Sequence, residues 1–257
     1  MNSHNFIVYI INLNQDKDRR SYVEKELKRV GIDNYSFISA IDGSMLPQND
    51  LDYYNSSNKF WPKMSPGQVG CSMSHVKLYK DFLDTKYDYA LVLEDDISFR
   101  NNFNVSLIDD ILFNNFPKNH IILLNEIATF FKKSRFKISK NFNLVKVIKA
   151  SCTSSYLIDK YAAEQLIRKN EPIRVFADDF NIFQEIWHID VYGVDPFIAE
   201  QNTKDFDTTI HYQMHIPRSK MKIRSFFKFD YYLILRLIKI KYEFLRIFRK
   251  VNSHTKL

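Results

Sequence analysis

The chain has 257 residues, 45% hydrophobic and 15% aromatic, with five glycines and seven prolines; that suits one packed α/β domain with an appendage and excludes collagen-like, low-complexity and disordered chains. Its net charge of +7 is unevenly placed, because residues 218–250 hold eleven Lys/Arg and two acidic residues while residues 1–217 hold 25 basic and 28 acidic groups. A net acidic body is a poor nucleic-acid binder, so a nuclease or other nucleic-acid function is disfavoured and the basic excess concerns a partner of the tail.

Residues 6–13 (FIVYIINL) form a short apolar run rich in β-branched side chains, the pattern of a buried strand. Residues 16–30 read as a helix, with Val23, Leu27 and Val30 on one face, Asp16 and Asp18 in the first turn and Gly31 after its end. A second strand at 35–40 completes the spacing of a parallel crossover. Residues 41–64 show no period and read as a long loop. Ser65-Pro66 starts a helix to about residue 86, and residues 89–93 form a central strand. Strands are expected at 121–124, 144–148, 155–158, 191–194 and 197–199, a helix at 160–169, and loops at 126–143. One domain over residues 1–217 and a helical tail over 218–257 follow.

The sharpest chemical signal is ALVLEDDISF at 90–99, where an apolar strand delivers Glu94, Asp95 and Asp96 to its carboxyl end, the edge at which open α/β sheets bind ligands. Adjacent carboxylates repel and resist desolvation, so they suit a hard divalent cation, Mn²⁺ or Mg²⁺, that bridges a diphosphate. A water-facing acidic turn is the competing account. Arg19 and Arg20 could reach phosphate or line a solvated helix face. His75 is either a structural residue of its helix or part of the cleft, and Asp178-Asp179 is either a general base or a helix N-cap. Cys71 and Cys152 form no C-x-x-C pair, and the N-terminal residues lack a charged segment before an apolar one; both features point to buried thiols and a cytoplasmic location.

Five pieces in order, IINLNQDKDRR (10–20), SAIDGSML (39–46), GQVGCSMSHVKLY (67–79), ALVLEDDISF (90–99) and SSYLIDKYAAEQLI (154–167), with PFIAEQ (196–201) as a sixth, resemble glycosyltransferase family 25, which includes lipopolysaccharide and lipooligosaccharide galactosyltransferases. The resemblance implies a GT-A-like, single Rossmann-type nucleotide-sugar-binding domain, a UDP-sugar donor (most often UDP-galactose), a saccharide or glycolipid acceptor and inversion at the anomeric carbon. It places Asn12, Arg19, Arg20, Asp42, Gly43, His75, Glu94, Asp95 and Gln201 around the donor. It makes Asp96 the direct metal ligand with Glu94 beside it; His211 and His215 either complete the shell or hold surface or structural places. The base is then Asp178 or Asp179, ahead of Glu126.

The tail is no membrane span, because Arg236, Lys239, Lys241, Glu243 and Arg246 interrupt it. A wide apolar face beside a basic one suits an interfacial amphipathic helix on anionic lipid, which would hold the protein on the inner face of the inner membrane. An ordinary packed helix is the alternative. The competing function is a catalytically silent nucleotide-sugar-binding or scaffold subunit, which has no need of clustered carboxylates.

Overall fold

The computed structural model describes residues 6–56, 63–114 and 116–207, and in the tail Leu233, Arg236, Leu237, Ile240, Lys241, Glu243, Phe244, Val251 and Asn252. β1 (Phe6–Asn12), α1 (Lys17–Arg29) and β2 (Ser36–Ser39) come first, followed by a 3-10 turn (Gly43–Met45), α2 (Gln48–Ser56) and α3 (Pro66–Leu83). β3 (Tyr89–Glu94), β4 (Ile97–Phe99), α4 (Ser106–Leu112), β5 (His120–Leu123), β6 (Thr129–Lys137) and β7 (Asn143–Lys149) occupy the middle of the chain. β8 (Ser155–Asp159), α5 (Lys160–Asn170), α6 (Phe180–Glu185), β9 (Asp190–Asp195), β10 (Ala199–Gln201) and β11 (Val251–Asn252) complete it.

The fold is α/β. Nine strands form one mixed sheet in the order β11-β6-β7-β9-β5-β8-β3-β1-β2, and β4 pairs with β10 in a separate ribbon. β1 runs parallel to both β2 and β3, and β5 to β9; the other pairs are antiparallel. The three parallel strands therefore bring their carboxyl ends to one edge, with Ile11 in register with Glu94.

β3 reads as a continuous apolar run because both of its faces are covered. Ala90 and Val92 join a core with Leu78, Tyr79 and Phe82 of α3 and with Ala162, Ala163 and Leu166 of α5. Leu91 and Leu93 join the opposite core with Val23 and Leu27 of α1 and with Ile108 and Ile111 of α4. Each buried leucine contributes about 2 kcal/mol by area, and truncating Leu91 to alanine costs about 2–5 kcal/mol once the cavity is counted. This double packing is what holds the acidic end of β3 still.

Three expectations need correction. The segment 41–64 is not a featureless loop but contains the 3-10 turn and α2, whose only buried residue, Leu51, leaves no apolar period to read. The segment 126–143 contains β6, where TFFKKSRFK hides the strand alternation behind the basic residues typical near a sheet edge. The last short strand lies at Ala199–Gln201 rather than 197–199. In the tail, Lys241 Nζ lies 2.8 Å from Glu185 Oε1, and Val251–Asn252 pairs with β6, so these three residues touch the body. Among the described residues no helix is long and apolar enough to cross a membrane.

Candidate functional site

The site begins with the start of α3. Ser65 and Gln68 form a reciprocal capping box, and Pro66 occupies the first turn. This fixes the helix so that its glycines meet the chain leaving β2. A Cβ on Gly70 would lie 2.5 Å from the Ile41 carbonyl oxygen, and one on Gly43 would lie 1.7 Å from that of Pro66. The contact is sealed by Ser74, whose Oγ donates to the Gly70 carbonyl at 2.7 Å and accepts from the Ile41 amide at 2.8 Å.

The acidic run lies opposite. Asn12 Nδ2 donates to Asp95 Oδ2 at 2.7 Å, and Arg19 Nη1 donates to Asp95 Oδ1 at 2.6 Å. The second guanidinium nitrogen reaches Asp96 Oδ2 at 3.2 Å and the Asp207 carbonyl at 3.0 Å. Both Asp95 oxygens are thus engaged, and Asp95 works as a clamp between β1, α1 and β3. Asp96 is buried, and its Oδ1 has no hydrogen-bond partner among the described residues. Glu94 Oε1 accepts from Thr153 Oγ1 at 2.6 Å and stands 3.9 Å from His75 Nε2, an electrostatic contact rather than a hydrogen bond.

Burial pushes the Asp95 carboxyl up even though Asn12 and Arg19 oppose it. Burial, followed by the Glu94 charge, lifts Asp96 from 3.8 to about 6. Asp178 is also raised, chiefly by burial, against the hydrogen bond that the Cys152 amide donates to its Oδ2 at 3.1 Å. Three carboxyl groups resisting ionisation at one sheet edge is an arrangement that invites a cation or a proton-transfer role.

Two cavities share Cys71 and Glu94 as a common wall. One is lined by Asp16, Arg19, Asp42, Gly43, His75 and Asp95 among others. The other is lined by Gln68, Cys152, Thr153, Asp178 and Gln201 among others. Most of the residues picked from the sequence are therefore brought together in two groups. Arg20 is not: its guanidinium lies 3.8 Å from the Phe37 ring centroid and pairs with Glu24. Asp179 caps α6 by accepting from the Ile182 amide, the alternative that the sequence left open. Glu126 lines neither cavity. His211 and His215 lie outside the described residues. Thr153, Cys152 and Cys71 were missed as cavity residues; Cys71 had a signal, since it precedes His75 by one helical turn.

The model of glycosyltransferase family 25 (LPS biosynthesis protein) matches residues 5–181, which contain the first five motif pieces. The chain belongs to glycosyltransferase family 25. PFIAEQ and Gln201 fall beyond the matched residues of this family 25 chain. It is 24% identical to the lipooligosaccharide biosynthesis protein lic2B of Haemophilus influenzae over 228 residues, 83% of this chain and 84% of that one. It is 24% identical to a second Haemophilus influenzae protein over 72% of this chain and 66% of that protein. Procollagen galactosyltransferase 2 of Homo sapiens is 25% identical over 63% of this chain, which spans 27% of the human protein.

Proposed function

We propose that this glycosyltransferase moves a hexose, galactose from UDP-galactose, onto a lipopolysaccharide- or lipooligosaccharide-type saccharide, with inversion, in a GT-A-like fold. The observation that carries the reading is the position of Glu94 on the wall of both cavities, with Arg19, Asp42 and Gly43 on one side and Asp178 on the other. The names of lic2B and of procollagen galactosyltransferase 2 support the sugar and the acceptor class.

The cavity at the ends of β1 and β2 takes the nucleotide, and the one beside Asp178 takes the sugar and acceptor. Asp178 accepts the proton of the acceptor hydroxyl while its oxygen attacks the anomeric carbon and the bond to the diphosphate breaks. A carboxylate raised by burial is the better base for that step. Arg19, held by Asp95 and Asp96, keeps positive charge beside the departing diphosphate. The orphaned Asp96 Oδ1 and the oxygen-rich run fit a hard divalent cation, Mn²⁺ or Mg²⁺, held by Glu94 and Asp96. Such an ion, when bound, neutralises the leaving diphosphate.

Exposed Leu233, Leu237, Ile240 and Phe244 recur at helical spacing in the basic tail and support binding to an anionic membrane surface on the cytoplasmic side. Co-sedimentation with anionic vesicles, absent with neutral ones, tests that part. The transfer itself is tested by UDP release from a panel of UDP-sugars with Mn²⁺ and a lipooligosaccharide acceptor, comparing the wild type with Asp96→Ala. Metal-dependent turnover of UDP-galactose that the substitution abolishes is expected. No release from any donor would replace this reading with a silent binding subunit.

A further inference from the structure

We propose that Cys71, His75 and Glu94 form a binding site for a thiophilic divalent cation of the zinc class. The site shares Glu94 with the acidic run but takes its other two donors, Cys71 and His75, from α3. Cys71 and His75 lie one turn apart on α3 and so share a face, and Glu94 reaches them from the end of β3. Their ligand atoms all lie within 4.8 Å of one another.

The imidazole is the second, independent observation. His75 is 2% exposed, and its Nε2 has no hydrogen-bond partner among the described residues. A buried ring nitrogen without a partner is costly. Its Nδ1 lies 2.7 Å from the Tyr156 hydroxyl, which lies 2.7 Å from the Tyr79 hydroxyl. This chain fixes the ring, and with Nδ1 donating to Tyr156 the Nε2 lone pair faces Cys71 and Glu94. That is how a metal-ligating histidine is usually supported from behind. Glu94 is held in turn by Thr153.

Sulfur, imidazole nitrogen and carboxylate oxygen together select zinc over magnesium or manganese. A tetrahedral zinc ion sets its nitrogen and oxygen ligands about 3.3 Å apart, from bond lengths near 2.0 Å. The observed 3.9 Å between His75 Nε2 and Glu94 Oε1 therefore closes by a small side-chain movement. Binding releases the Cys71 thiol proton. Three protein ligands leave a fourth position, and the adjoining cavity of about 160 Å³, walled by Cys71 and Glu94, has room for a water or another ligand there.

Cobalt(II) is the probe, because a cobalt–thiolate bond absorbs in the near ultraviolet. Adding Co²⁺ to the EDTA-treated full chain should give that band at one equivalent, and Zn²⁺ should displace it. The band should disappear in Cys71→Ser, weaken in His75→Gln, and persist in Cys152→Ser, which removes the other thiol of the same cavity. Asp96→Asn should also keep the band, which separates this site from the hard-cation reading even though Glu94 serves both. No band in the wild type, or a band that survives Cys71→Ser, overturns the proposal. Should Cys71→Ser fail to fold, the wild type decides alone: Zn²⁺ must slow maleimide labelling of Cys71, mapped by mass spectrometry, by about tenfold or more. Unchanged labelling overturns it.

Discussion

Replacing Gly70 with alanine tests whether the close approach of α3 to the chain leaving β2 shapes the donor cavity. The new methyl carbon would sit 2.5 Å from Ile41 O, 2.6 Å from Gly43 N and 2.8 Å from Gly43 Cα, whereas ordinary contact begins near 3.4 Å. All three are backbone atoms, so no side chain can swing aside; the segment carrying Asp42 and Gly43 must retreat by about 0.6–0.9 Å, and overpacking of this kind costs about 1–3 kcal/mol. The retreat also stretches the Ile41 amide bond to Ser74. Denaturant unfolding should show a lower midpoint with an unchanged slope, and donor binding, followed by titration calorimetry with UDP, should weaken along with it. A misplacement near 1 Å can cost about 100-fold in a positioned reaction, so turnover should fall further than stability suggests. An alanine variant with wild-type midpoint and wild-type UDP affinity would refute the reasoning, because it would mean that the segment does not bear on the cavity.

Asp96 makes a prediction about pH. A carboxyl whose folded pKa rises from 3.8 to about 6 favours the fold while protonated, at low pH, and that contribution is lost as pH rises through about 6. In EDTA, Asp96→Asn should therefore raise the unfolding midpoint at pH 7.5 and leave it nearly unchanged below the unfolded value, near pH 3.5, with an upper bound of about 3 kcal/mol before the weakened Arg19 contact is subtracted. Equal destabilisation at both pH values would contradict this. Asp178→Asn should lower kcat by about 100-fold or more while leaving the donor KM within about threefold, as expected for loss of a base; unchanged kcat would move the base elsewhere. Tyr156→Phe removes the hydroxyl behind His75 and should cost about 1–3 kcal/mol, because Nδ1 then joins Nε2 without a partner; thermal unfolding gives the answer.

The central strand and its acidic terminus were legible because β3 is buried on both faces and ends abruptly in charge. The helix start at Ser65-Pro66 and the β1–α1–β2 unit were legible for equally local reasons. What could not be read was long-range. That Asp95 is consumed by Asn12 and Arg19 depends on parallel pairing of β1 with β3, and that Thr153 seats Glu94 depends on β8 lying antiparallel beside β3. Arg19 and Arg20 are adjacent and look alike in sequence, yet one turns into the carboxylates and the other out to Phe37, a difference set by helix phase. Asp178 and Asp179 divide in the same way, into a cavity residue and a cap.

The strand order bears on how the protein can be made. β8 lies between β3 and β5, and β9 lies between β5 and β7, although both are synthesised after the strands they separate. A chain emerging from the ribosome thus holds a β2-β1-β3 piece, a lone β5 and a β6-β7 hairpin, with no edge on which they can join. The late strands act as mortar between bricks already laid. Until β8 is inserted, Leu91 and Val92 lack their partners Leu157 and Tyr156, and Thr153 has no route to Glu94. Nascent fragments that stop short of residue 159 should accordingly expose open strand edges and need a chaperone's cover.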